Sequence, residues 1–198
     1  VGRKDAPVFI DQEGGRVQRL GPPSNYWKKY PPGRAYGDLY ESNPMAALRT
    51  ARHVGRLMAE DLMEAGITAN CLPILDVPQP GSHDVIGNRA YSMNIEQVMT
   101  LARAHAAGFM DGGVLPVVKH IPGHGRAEVD SHHDLPVVKA TRDELEKTDF
   151  PPFAAFADAP MAMTAHVIYT ALDKVHPATL SKKIIKTIIR QNIGFRGL

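Results

Sequence analysis

Apolar and polar positions alternate along this chain with two different periods. Short apolar runs, several closing on an ionisable residue, are separated by longer stretches whose apolar positions lie three and four apart. These are the marks of strands and amphipathic helices. Pro7 to Ile10 (PVFI) reads as a first strand ending at Asp11. A Gly/Pro-rich loop follows to about Asn43, long enough to help form a site. Asn43-Pro44 is a cap and first-turn signal. The helix it opens carries Ala47, Leu48, Ala51, Val54, Met58 and Leu62 on one face, and Gly66 stops it. Ile67 to Leu75 reads as a second strand ending at Asp76, followed by a polar loop with Gly87-Asn88-Arg89-Ala90-Tyr91-Ser92. A helix over about Ile95 to Met110 leads through Gly112-Gly113 to a third strand, Val114 to Val118, ending in Lys119-His120. Thr141-Arg142-Asp143-Glu144 is a capping box. Met161 to Ala165 is a fourth strand ending at His166, and the last helix, about Ser181 to Asn192, presents Ile184, Ile185, Ile188 and Ile189.

Strand-helix-strand alternation predicts an α/β fold with parallel strands joined by helical crossovers. All four strands end in ionisable groups: Asp11, Asp76, Lys119 with His120, and His166. A (β/α)8 TIM-type barrel gathers the carboxyl ends of every strand on one face, whereas an open doubly wound sheet does so only near a switch point. The barrel is therefore the expected fold, as a single domain over residues 1–198. A barrel usually takes about 250 residues, so an incomplete one, lacking its first and last strands, is expected here. Val1 at the start and Gly194-Phe195-Arg196-Gly197-Leu198 at the end fit a piece of a longer protein.

Composition narrows the classes. The 23 basic and 21 acidic residues leave a net charge of +2 and form no blocks, so neither nucleic acid nor a membrane surface is an expected partner. No apolar run approaches the ~20 residues that span a bilayer. One cysteine, Cys71, excludes an internal disulfide and suits a reducing, cytoplasmic setting. A monomer acting on a small molecule is expected.

The chemistry concentrates between Lys119 and Pro136, where four histidines and three acids share a Gly-rich loop. Asp130 stands two residues before His132. A carboxylate on one imidazole nitrogen fixes the tautomer and raises the basicity of the other, which suits general acid/base work near neutral pH. Alone, such a pair belongs far more often to an exposed polar loop with incidental histidines; Lys119, His120 and the nearby glycines favour the acid/base reading. A metal reading through His120, His124, His132, His133 or Asp134 lacks the compact helical spacings of known sites. Gly14-Gly15 and Gly123-x-Gly125 fit no nucleotide fingerprint. Asp11 and Glu13 sit where rim carboxylates grip hydroxyls, and Arg16, Arg19 and Arg89 are forked donors for a polar substrate. His166, Trp27 and Tyr30 are weaker candidates.

Together DQEGGRVQR (Asp11 to Arg19), GNRAYS (Gly87 to Ser92), KHIPGHG (Lys119 to Gly125), DSHHDLP (Asp130 to Pro136), MTAHVIY (Met163 to Tyr169) and PATLS (Pro177 to Ser181) resemble bacterial β-N-acetylglucosaminidases of glycoside hydrolase family 3, the cell-wall-recycling type. The resemblance implies a barrel that removes terminal β-linked N-acetylglucosamine from muropeptide fragments without metal or cofactor. It implies His132 as acid/base with Asp130 as its partner, sugar contacts from Asp11, Arg19, Arg89, Lys119 and His120, and retention through a covalent glycosyl-enzyme. The family's nucleophilic aspartate lies on the strand expected after GFRGL, beyond Leu198, and its first strand before Val1; Ile121 replaces the usual phenylalanine. On this reading the 198 residues alone show no turnover, and turnover would point to another attacking carboxylate such as Asp76. A β-glucosidase or β-xylosidase, a phosphorylase using phosphate in place of water, and a sugar-binding fragment are the alternatives.

Overall fold

The computed structural model describes residues 2–3, 6–23, 26–82, 84–127 and 135–198. Its centre is a parallel sheet of four strands, β1 (Phe9–Ile10), β4 (Ala69–Asn70), β5 (Leu115–Ile121) and β7 (Met161–Thr164), in that spatial order. Phe9 pairs with Ala69, Ala69 with Leu115, and Val117 with Met161. Sequential order with parallel pairing is what helical crossovers on one side of a sheet produce. The α/β expectation holds.

The crossover helices are α2 (Pro44–Glu64) and α3 (Ile95–Asp111). Asn43 Oδ1 accepts from Ala46 N at 3.0 Å with Pro44 in the first turn, and Asn94 Oδ1 accepts from Gln97 N at 3.2 Å. These caps satisfy first-turn donors that have no partner inside the helix. The stripe read from the sequence turns inward: Ala47, Ala51, Met58 and Leu62 are fully buried. The Thr141 capping box forms and starts α4 (Arg142–Glu144), which runs through a π-helical turn, Leu145–Asp149, into α5 (Phe150–Ala155). Ile184–Asn192 is π-helical as well. Its buried Ile184, Ile188 and Ile189 suit the wider turn as well as an α-helix, so spacing alone does not separate the two.

Several boundaries differ from the sequence reading. The segment read as a loop to Asn43 holds an antiparallel hairpin, β2 (Gln12–Gly14) with β3 (Val17–Gln18), and a helix, α1 (Gly33–Ser42). Tertiary packing decides α1. Cβ atoms placed on Gly33 and Gly37 would collide with Arg89 O and Tyr91 O, so bare glycine lets the helix lie directly on that backbone. The second strand pairs at Ala69–Asn70 and touches β5 again only through Ile74 opposite Lys119. Pro73 has no N–H for the ladder. The third strand runs on to Ile121, so Lys119 and His120 lie within it, and the Lys119-His120 and Ile121-Pro122 peptides are cis. An unforeseen parallel pair, β6 (Val137–Val138) with β8 (Ile168–Tyr169), completes the strands. Among the described residues no helix is long and apolar enough to cross a membrane.

Candidate active site

Parallel strands deliver their carboxyl ends to one edge of the sheet. Asp11 follows β1, Asp76 follows the Ile74 bridge, and Lys119 and His120 stand near the end of β5. The hairpin then folds back over that edge. Gln12 N donates to Asn70 Oδ1 at 3.0 Å and Asn70 Nδ2 returns a bond to Gln12 O at 2.9 Å, tying the hairpin to β4. Gln12 Oε1 accepts from Arg19 N at 2.9 Å and Leu20 N at 3.0 Å, which closes the hairpin on itself.

This fold places Glu13 between two cations. Lys119 Nζ lies 2.6 Å from Glu13 Oε1 and 2.8 Å from Asp11 Oδ1. Arg89 grips the same glutamate with both arms, Nη2 to Oε1 and Nε to Oε2, each at 2.8 Å. Lys119 is 1% exposed and Glu13 is 4% exposed, so the pairing replaces hydration almost completely. Burial pushes both carboxyls up. Arg89 and Lys119 outweigh it at Glu13, and Lys119, then Arg19 and Arg89, outweigh it at Asp11, so both stay below the ordinary carboxylate range. Asp11 alone of this quartet keeps a half-open carboxylate, with Arg19 Nη2 at 3.9 Å on its solvent side. An anionic acceptor flanked by fixed donors suits a hydroxyl that must both give and receive a hydrogen bond.

Beside it, Asp76 Oδ2 lies 2.6 Å from His120 Nδ1, while Oδ1 accepts from His120 N at 3.1 Å and His124 N at 2.7 Å. Burial raises the Asp76 carboxyl, but His120, His124 and these donors hold it at about 2. An ionised carboxylate only accepts, so Nδ1 of His120 carries the proton and Nε2 faces the other way. Complete burial and three accepted bonds tie Asp76 to orienting His120 and the backbone of residue 124, which argues against it as an alternative nucleophile. His124 stays neutral because burial, more than any neighbour, depresses its pKa; its ring stands 5.4 Å from that of His120.

Arg89 belongs to a fixed turn. Arg16 holds the chain ahead of it, reaching the Asp84 carboxylate at 3.1 Å and the Val85 carbonyl at 2.9 Å. Behind it, Tyr91 Oη and His105 Nδ1 meet at 2.8 Å inside the core. Arg16 is thus a clamp on the Arg89 loop.

The structure therefore brings together Asp11, Arg89, Lys119 and His120, with Arg19 at their open side. Asp130 and His132 lie outside the described residues, as do Ser131, His133 and Asp134. Among the described residues no group of three or more His, Cys, Asp or Glu is placed to hold a metal. Tyr30 is buried with its hydroxyl on Asp61 at 2.5 Å, and Trp27 meets Tyr26 edge-on, so these aromatics pack and bond locally. His166 is exposed. Sequence reasoning missed the bridging role of Glu13 and the orienting role of Asp76. The first was signalled by an acid two residues past a strand-end acid, the second by an acid closing the neighbouring strand.

The chain resembles known proteins over its whole length. It is 40% identical over 193 residues to a β-hexosaminidase of Chromobacterium violaceum, covering 96% of this chain and 53% of the relative. A β-hexosaminidase of Nitrosomonas eutropha is 36% identical over 192 residues, with 96% and 54% covered. NagZ from Neisseria gonorrhoeae, solved with N-trifluoroacetyl-D-glucosamine, superposes with a TM-score of 0.90 at 37% identity, covering 97% of this chain and 56% of that one. The chain thus spans about half the length of the curated relatives it matches. Residues 2–198 match the glycosyl hydrolase family 3 N terminal domain, and it is to this family that the chain belongs.

Proposed function

We propose that this chain is a single (β/α)8-type domain of a retaining exo-β-N-acetylglucosaminidase that releases terminal N-acetylglucosamine from peptidoglycan fragments. The observation that carries this reading is the quartet Asp11, Lys119, Glu13 and Arg89, with one half-open carboxylate beside a tautomer-fixed His120. Asp11 accepts a sugar hydroxyl while Lys119, Arg19 and Arg89 fix its direction, and His120 presents Nε2. The likeness to a NagZ solved with an N-acylated glucosamine supports the sugar assignment.

In this reading His132 donates a proton to the leaving oxygen and then activates water, and Asp130 holds its tautomer. A retaining enzyme sets its nucleophile about 5 Å from the acid/base. No cofactor is required, and the expected setting is a monomer in the cytoplasm.

The test is hydrolysis by the intact protein. It should cleave 4-nitrophenyl N-acetyl-β-glucosaminide in preference to the β-glucoside, and give free sugar, not its 1-phosphate, in phosphate buffer. His132→Ala should slow poor leaving groups by about 10²–10⁴-fold, the usual contribution of a general acid. Faster cleavage of the glucoside, or an undiminished His132→Ala enzyme, would overturn the proposal.

A further inference from the structure

A buried charge outside the sugar-binding quartet has no part in the chemistry above. Asp149 closes the π-helical turn ahead of α5 and is 2% exposed. Its Oδ2 accepts from Arg126 Nε at 2.7 Å, and Arg126 Nη2 donates to the neighbouring Thr148 Oγ1 at 2.6 Å. Its other oxygen, Oδ1, has no hydrogen-bond partner among the described residues. The carboxylate lies directly under Gly123, where a Cβ would come within 2.8 Å of Asp149 Cβ and 3.2 Å of Oδ1. On the far side Tyr169 Oη donates to Gly123 O at 2.6 Å. Gly125 rests on Val77, and its carbonyl accepts from Gln79 N at 3.2 Å. The stretch from Gly123 to Arg126 is therefore fixed on three sides.

This arrangement is a poor device for stability. Burial pushes the Asp149 carboxyl up to about 6, with the Arg126 bond pulling the other way, so the folded protein works against the charge it holds. Buried ion pairs of this kind are often matched or bettered by apolar packing. What the pair does supply is position. Arg126 stands two residues after His124, whose N–H is bonded to Asp76, and four before Asp130.

We propose that Asp149 is a positioning residue for the acid/base segment: through Arg126 and Gly123 it sets the point and direction from which the chain carrying Asp130 and His132 departs. The inference rests on the proposed role of His132. It predicts that loss of the latch leaves the sugar pocket intact and harms only the proton transfers of His132.

The experiment compares two N-acetyl-β-glucosaminides in the intact protein, one with a 2,4-dinitrophenyl group, which departs with little protonation, and one with an alkyl alcohol, which needs the acid. For Asp149→Asn, kcat/KM on the alkyl substrate, which reads the step that needs the acid, should fall by about 10²-fold, the scale of a 1 Å misplacement. The kcat/KM for the dinitrophenyl substrate should stay within about twofold, while its kcat and KM fall together where water attack on the glycosyl-enzyme, which uses the same His132 as base, limits turnover. Arg126→Ala should reproduce this pattern. The double variant should be no worse than either single one, since coupled sites do not add; Asp149→Glu, which keeps the carboxylate, should recover part of the loss. If Asp149→Asn fails to fold, Arg126→Ala, at the rim end of the pair, decides alone. Equal losses of kcat/KM on both substrates, or additive effects, would show a merely structural pair and overturn the proposal. An inactive parent, or an unaffected His132→Ala, would instead sink the functional reading on which it rests.

Discussion

Two regions of this molecule make ion pairs of nearly the same length and very different meaning. At the rim, Lys119 lies 2.6 Å from Glu13 with side chains 1% and 3% exposed. On the outer helices, Arg52 lies 2.7 Å from Asp111 with side chains 59% and 37% exposed. Water competes freely at the second pair and screens it, whereas the first has exchanged its hydration for partners. Arg56 with Glu60 on α2, and Arg103 with Asp158 beside α5, repeat the exposed pattern. Burial of a fully paired charge, more than the pairing distance, sets the rim cluster apart from the outer pairs.

The sharpest way to break this comparison is Lys119→Met. It strands Glu13 and Asp11 with one cation fewer, and unfolding by denaturant should show a loss of about 3–5 kcal/mol, the scale for removing one partner of a buried pair. A loss below about 1 kcal/mol would make the two regions equivalent. Gly37→Ala tests whether the outer layer supports the rim. The added methyl meets Tyr91 O, and overpacking of this kind should cost about 3 kcal/mol and disturb Arg89, read as a raised KM.

Next comes Asp76→Asn. The Asp76 carboxyl sits at about 2 against an ordinary 3.8, so its contribution is present above about pH 4 and fades as pH falls through 2. At 1.36 kcal/mol per unit that is about 2 kcal/mol at neutral pH. The variant should lose it, and its stability should vary less between pH 4 and pH 2 in a series of denaturant titrations. The smallest effect belongs to Arg52→Ala, below about 1 kcal/mol and vanishing in high salt.

Much of this was legible in the residues. The stripe Ala47, Ala51, Met58 and Leu62 and the Asn43 and Thr141 caps follow from local chemistry and appear as read; of the ionisable strand ends, Asp11 follows β1 directly, whereas Lys119 and His120 lie inside β5. The neighbouring places of Asp11, Lys119, His120 and Arg89 also appear as read. Helix α1 was not legible, because Gly33 and Gly37 weaken it locally and earn their place only against the backbone of residues 89–91. Glu13 was seen as a rim acid but not as the bridge between Lys119 and Arg89, a contact that depends on how the hairpin folds back over β4. Asp149 carried no signal at all: its partner Arg126 lies 23 positions earlier, in the turn that follows β5.

Asp11 and Lys119 stand 108 positions apart in the chain, yet share one hydrogen bond at the heart of the quartet. A polypeptide emerging from the ribosome therefore exposes Asp11 long before the lysine that pairs with it has been made. Until β5 has been synthesised that bond cannot form, and closure of the quartet has to wait for the strand.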